Sequence, residues 1–192
     1  MKRITYKLTT GLFAMMLLFA SANVVAQDKG DQEKVVDMDK REGLKADAKE
    51  SKAAFMEVDA SLESTLSSAA GYAIFPNVGK GAWVLGGAAG NGVVYEKGKV
   101  VGYAELRQID IGFQFGGKAF RELIVFKTQE ALDSFKKGKF EFGGSASAVI
   151  WDKGKGKAIS FENGAGVAIM PKAGAMAGIS IGGQEFDYRA VK

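Results

Sequence analysis

The sequence of 192 residues contains no histidine, no cysteine and only two prolines. Without histidine and cysteine there is no imidazole base, thiolate nucleophile, disulfide or zinc site with the usual nitrogen and sulfur ligands. What remains is oxygen and amine chemistry, or binding without catalysis, and neither a cofactor nor a metal is indicated. Hydrophobic residues make up 47% and charged residues 25% of the chain, which is typical of a folded domain with its own core.

The first 26 residues have the pattern of a cleavable secretory signal peptide. They carry three basic and no acidic residues, an apolar run over 12–20, and small residues before Gln27. This run is about half the length that spans a bilayer, which favours cleavage over retention as an anchor. We therefore expect an exported protein, in the bacterial periplasm, with peripheral membrane association as an option. The mature chain would carry 23 basic and 22 acidic groups, so nucleic acid is not an expected partner.

Residues 27–65 form an N-terminal helical segment rich in Lys, Glu, Asp and Ala. Apolar residues recur there and just beyond at spacings of three and four, at Phe55, Val58, Leu62 and Leu66. This spacing predicts one helix over about 51–68 with an apolar stripe. The segment carries seven basic and eleven acidic groups, which argues against binding to anionic lipid through this helix.

Residues 66–192 have a sequence pattern typical of short strands joined by turns. From Gly71 onward the chain contains 23 of the 26 glycines, interleaved with short runs of Val, Ile and aromatic residues. The run FRELIVF over 120–126 is apolar on both faces and predicts a central strand, in which Phe120 and Glu122 share one face. EKGK over 96–99 predicts a hairpin turn, with Gly98 at positive φ.

One helix is predicted between strands, from its cap at Thr128 to its stop at Gly138. The expected fold class is α+β, with an N-terminal helical segment followed by a curved, Gly-rich, mainly antiparallel β-sheet with one short inserted helix. Residues 66–192 are expected to form one domain with the preceding helix.

Catalytic motifs are weak. Glu105 and Asp110 supply two carboxylates for a hydrolase, but alternation in a strand puts Glu105 beside Arg107, where an ion pair is the simplest role. A formal phosphate loop from Gly112 to Lys118 fails because Ala119 stands where a hydroxyl is needed for magnesium. Enzymatic activity is therefore not expected.

The basic residues indicate a binding function more clearly than the acidic residues indicate catalysis. Two lysine clusters, one at the end of a predicted helix and one that follows Trp151, predict a lipid-binding surface. Their residues are Lys136, Lys137, Lys139, Lys153, Lys155 and Lys157, with Trp151 or Trp83 as the anchor. Each lysine near an anionic bilayer contributes on the order of 1 kcal/mol. The alternative interpretation is that lysines in turns keep hairpins soluble and discourage edge pairing.

Several runs occur in the order AIFP, GFQFGG, ALDSF and AGISIGG. On these runs the chain resembles the SYLF-domain (Ysc84-like) family over about residues 50–188. The resemblance implies a non-enzymatic domain that associates with membranes and, in eukaryotic members, with phosphoinositides or actin. For an exported chain it implies an anionic phospholipid as partner, with no actin expected in that compartment. The alternative is a periplasmic protein-interaction or envelope-stress module that recognises an envelope protein and no lipid.

Overall fold

The computed structural model describes residues 39–79, 87–109, 119–140, 149–151, 158–172 and 183–191. The chain divides into two units, Met1–Gly43 and Leu44–Lys192. The sheet and all contacts discussed below belong to the second unit. The expected signal peptide and the start of the predicted helical segment lie outside the described residues.

The predicted helix over 51–68 is two helices, α1 (39–58) and α2 (Leu62–Ser68). They are separated at Asp59, whose carboxylate accepts hydrogen bonds from the Ser61 backbone N–H at 2.9 Å and its hydroxyl at 2.7 Å. Such a local side-chain bond offers the backbone an alternative to the helical ladder, so the prediction of one continuous helix was wrong. The apolar stripe itself is real, because Leu62 and Leu66 are buried.

Within the described residues, seven strands form one sheet in the order β5-β6-β4-β1-β2-β3-β7. Their bounds are β1 Gly71–Val78, β2 Gly87–Glu96, β3 Lys99–Ile109, β4 Phe120–Phe126, β5 Val149–Ile150, β6 Ala165–Pro171 and β7 Gln184–Ala190. Every neighbouring pair is antiparallel except β5 and β6. The α+β class and the mainly antiparallel sheet are confirmed, and β4 is central as its sequence indicated.

The sheet is strongly curved. Glu122 on β4 and Gln184 on β7 share a 2.9 Å hydrogen bond, although four strand spacings separate β4 from β7. In a flat sheet that separation is roughly 19 Å, beyond the reach of two side chains. Gly92 assists the curvature, since a Cβ there would lie 2.6 Å from the Phe75 ring. The register also shifts in β1 after Phe75, where a bulge adds twist.

Each face of the curved sheet has its own core. The concave face holds a cluster of aromatic and aliphatic side chains that includes Ile124, Phe126 and Phe186, and helix α3 (Gln129–Lys136) adds Phe135 to it. The convex face is covered by α1 and α2, which bury Phe55 and other apolar residues against the strands. Both faces therefore contribute to the core, while the convex face of β3 and β7 stays exposed at Arg107 and Glu185.

The two predicted local elements of this region are confirmed. The hairpin between β2 and β3 turns through Lys97 and Gly98, with φ of 51° and 75°. Helix α3 begins after Thr128, whose side chain accepts a hydrogen bond from the Ala131 backbone N–H at 3.3 Å. Strand β7, in contrast, was not predicted, because the sequence QEFDYRA carries a charged residue at every second position.

Candidate functional site

The C-terminal turn of α3 fixes the position of three candidate lysines. Gly138 adopts φ 65°, its N–H donates to the Phe135 carbonyl at 3.0 Å, and the Lys139 N–H donates to the Ser134 carbonyl at 3.0 Å. This pair of bonds is a Schellman motif, which satisfies carbonyls left over at the helix end. The chain therefore reverses directly after Lys136, with Lys137 at the cap and Lys139 just beyond it.

Lys136 links this turn to the β2–β3 hairpin. Its Nζ lies 2.6 Å from Glu96 Oε2, and the two side chains are only 22% and 25% exposed. The hydrogen bond from Lys136 holds the pKa of Glu96 below its ordinary value. Lys136 is thus neutralised by Glu96, and its role at this place is to join two elements.

The same link brings other lysines to one end of the sheet. Lys97 lies in the hairpin turn next to Glu96 and Lys99 follows the turn, while Lys137 and Lys139 follow Lys136. All four are exposed, and none of them forms an ion pair with a carboxylate in the described part of the chain. We call this end of the sheet, with α3 and the hairpin, the α3 end. The two hairpin lysines were not predicted as site residues, because their proximity to α3 depends on the long-range contact between Lys136 and Glu96.

Trp151 lies in the core and not at the surface. Its side chain is fully buried, and its ring meets that of Phe55 edge-on with centroids 5.6 Å apart. An apolar anchor at a bilayer needs an exposed ring, so the anchor role suggested for Trp151 does not fit this placement. The other suggested residues, Trp83, Lys153, Lys155 and Lys157, lie outside the described residues.

Of the two carboxylates that the sequence offered for hydrolysis, Glu105 is the one that lies within the described residues. Glu105 Oε1 lies 3.0 Å from Arg107 Nε, and both side chains are exposed, which confirms the interpretation as a surface ion pair. Asp110 lies outside the described residues. Of the acidic side chains in the described ranges, no three come together in a way that would hold a metal ion.

A cleft of about 310 Å³ lies between α1 and strands β1 to β3. Its lining consists of Leu44, Asp47, Pro76, Asn77, Ala89, Gly90, Asn91 and Glu105. The charged members are both acidic, and the polar remainder is amide. This cleft is therefore poorly suited to an anionic ligand, in contrast to the α3 end.

A cluster of three polar side chains is buried on the concave face, at the end of the sheet opposite to the α3 end. Glu122 on β4 is fully buried, and Gln108 on β3 and Gln184 on β7 are 1% and 3% exposed. The Gln184 amide Nε2 donates to Glu122 Oε2 at 2.9 Å and to Gln108 Oε1 at 3.3 Å. We call these three residues the polar end. Burial raises the pKa of Glu122 to about 8.

The sequence contained one signal for the polar end. Glu122 alternates with Phe120 and Ile124 on an apolar face, where an acid is unexpected. Nothing in the sequence pairs it with Gln184, 62 residues away, because that contact exists only when the sheet curves.

Comparison with known families gives a match at residues 107–190, to the family Ysc84, described as Las17-binding protein actin regulator. The predicted resemblance to the SYLF-domain (Ysc84-like) family is confirmed over these residues. The match covers β3 from Arg107 together with β4, α3, β5, β6 and β7. It therefore includes the polar end and helix α3, but not the β2–β3 hairpin of the α3 end. SYLF domains are binding domains, and lipid or actin binding is the general activity of the family. No curated protein matches the chain.

In the described part of the chain, no helix has the length and hydropathy needed to cross a bilayer.

Proposed function

We propose that the protein is an exported, non-enzymatic SYLF-type domain that binds the surface of anionic phospholipid membranes through its α3 end. The observation that carries the proposal is the convergence of four exposed lysines on two adjacent turns, Lys97 and Lys99 on one and Lys137 and Lys139 on the other. Lysines close to an anionic bilayer attract it electrostatically, and flexible side chains adapt to mobile headgroups.

The structure of the turns favours this use of the lysines. Lys136 and Glu96 neutralise each other at 2.6 Å and join the two turns, so the remaining lysines lie at the same end of the sheet. The acidic cleft beside α1 offers no such match to phosphate. Family membership supports lipid binding in general, and the choice of anionic phospholipid comes from the charge of the α3 end.

The family description names a Las17-binding actin regulator. For a chain with a predicted signal peptide, we propose that this activity does not apply, because an envelope compartment would not contain actin. Phosphatidylglycerol and cardiolipin are then the chemically suitable anionic lipids.

The test is co-sedimentation of the purified protein with vesicles of phosphatidylcholine alone and with added phosphatidylglycerol, at low and high salt. We expect binding to the anionic vesicles only, reversed by salt because the attraction is screened. Binding to neither vesicle, together with recovery of a defined envelope protein, would instead favour the interaction-module alternative.

A pair of variants locates the binding surface. K137Q/K139Q removes two positive charges at the α3 end, and we expect affinity for anionic vesicles to fall roughly tenfold or more, since each lysine contributes on the order of 1 kcal/mol. K49Q/R107Q removes the same charge from α1 and from the far end of β3 and should bind nearly as the unaltered protein does. Equal losses in the two variants would contradict a local site. K153Q/K155Q/K157Q tests the second predicted cluster separately.

A further inference from the structure

The polar end contains two buried oxygen atoms without donors. Gln184 Nε2 donates to Glu122 Oε2 at 2.9 Å, while Glu122 Oε1 and Gln184 Oε1 have no hydrogen-bond partner among the described residues. Both atoms are acceptors if the acid is ionised, and buried acceptors without donors are costly. An ionised Glu122 would therefore leave both oxygens unsatisfied and place a charge in the concave core.

One proton would satisfy both atoms at once. A carboxylic acid and a primary amide form a ring of two hydrogen bonds, in which the amide N–H donates to one carboxyl oxygen and the acid O–H donates to the amide oxygen. The first of these bonds is present, and the two unpartnered atoms are the ones that would form the second.

We propose that Glu122 is a neutral carboxylic acid at neutral pH and that its hydroxyl donates to Gln184 Oε1, so that the pair forms a proton-dependent latch joining β4 to β7 across the concave face. Loss of the proton removes one bond of the latch and leaves a charge that no basic group in the described ranges compensates. The hydrogen-bonded contact between β4 and β7, which are four strand spacings apart in the sheet, is then weakened. The inference is independent of lipid binding.

The surroundings of Glu122 support a neutral acid. Its partners on the neighbouring strands are Phe75 on β1 and Ile169 on β6, and its polar neighbours are Gln184 and Gln108. None of these residues is charged. The charged residues that flank Gln108 and Gln184 along the chain, Arg107 and Glu185, alternate to the exposed face of β3 and β7.

The sign of the pH effect follows from burial. The pKa of Glu122 is raised from 4.5 to about 8, so the folded protein holds this proton more tightly than the unfolded chain does. The stabilisation is fully present below about pH 4.5 and is lost as the pH rises to about 8.

The variant E122Q tests the latch because glutamine imitates the protonated acid. Its amide can donate to Gln184 Oε1 and still accept from Gln184 Nε2, with no group left to titrate. We expect the thermal midpoint of the unaltered protein to fall relative to E122Q by roughly 5 °C or more between pH 5 and pH 9. E105Q, which removes an exposed carboxylate on β3, should follow the unaltered protein. Parallel curves for E122Q and the unaltered protein would overturn the proposal.

Infrared spectroscopy of the unaltered protein gives a readout that does not depend on the folding of a variant. We expect a carboxylic-acid C=O band at pH 6.5 that disappears by pH 9.5, where exposed carboxylates are ionised throughout. The band should be absent from E122Q and present in E105Q. A spectrum without a protonated carboxyl at pH 6.5 would also overturn the latch.

Discussion

Each end of the curved sheet contains a glutamate, and the two environments shift its pKa in opposite directions. Glu96 at the α3 end is partly exposed, lies 2.6 Å from Lys136 and has a lowered pKa. Glu122 at the polar end is fully buried, faces an amide and has a pKa raised to about 8. The first environment stabilises a charge near solvent, and the second stabilises an uncharged acid in the core. The comparison indicates that the α3 end is suited to meet a charged surface, while the polar end serves closure of the sheet.

The largest loss of stability at the α3 end is expected from a change on the side of α3 that packs against the sheet. Phe135 is fully buried and packs on Phe126 and Phe186, with ring centroids 4.9 and 5.0 Å apart. Phe135→Ala should lower the free energy of unfolding by about 3–5 kcal/mol, measured by urea denaturation. Glu130→Ala, on the exposed side of the same helix, should change it by no more than about 0.5 kcal/mol. Similar effects of the two changes would mean that α3 is not divided into a core face and a surface face.

A smaller loss of stability is expected when the ion pair between Lys136 and Glu96 is removed. Glu96→Gln should cost about 0.5–1 kcal/mol, because both partners are partly exposed. Since the pKa of Glu96 is lowered, its contribution is present above its ordinary value of 4.5 and is lost as the pH falls below it. Urea midpoints of Glu96→Gln and unaltered protein should therefore converge on acidification, the reverse of the E122Q comparison. A gap that does not narrow at all between pH 6 and pH 3 would show that the pair acts through something other than charge.

Local signals in the sequence predicted the elements that depend on local rules. The hairpin at Lys97 and Gly98 follows from turn chemistry, and α3 follows from its cap at Thr128 and its stop at Gly138. Strand β4 was recognisable because it is apolar on both faces. In each case the deciding residues lie within a few positions of one another.

The features that were missed depend on contacts between distant residues. The break at Asp59 arises from a competing side-chain bond that periodicity does not register. Strand β7 was hidden by the charges of Glu185, Asp187 and Arg189 on its outer face, which its edge position in the described sheet permits. Trp151 looked available as an anchor beside a lysine-rich turn, but its contact with Phe55 of α1 buries it.

The most direct test of lipid binding at the α3 end uses the absence of cysteine from the chain. The variants E130C and E185C each replace one exposed glutamate, at the α3 end and near the polar end respectively, and each gives a single site for an environment-sensitive dye. We predict that anionic vesicles shift the emission of the dye at position 130 to the blue, that neutral vesicles do not, and that the dye at position 185 responds little. Equal shifts at both positions, or a shift at position 185 alone, would contradict the assignment of the membrane surface to the α3 end.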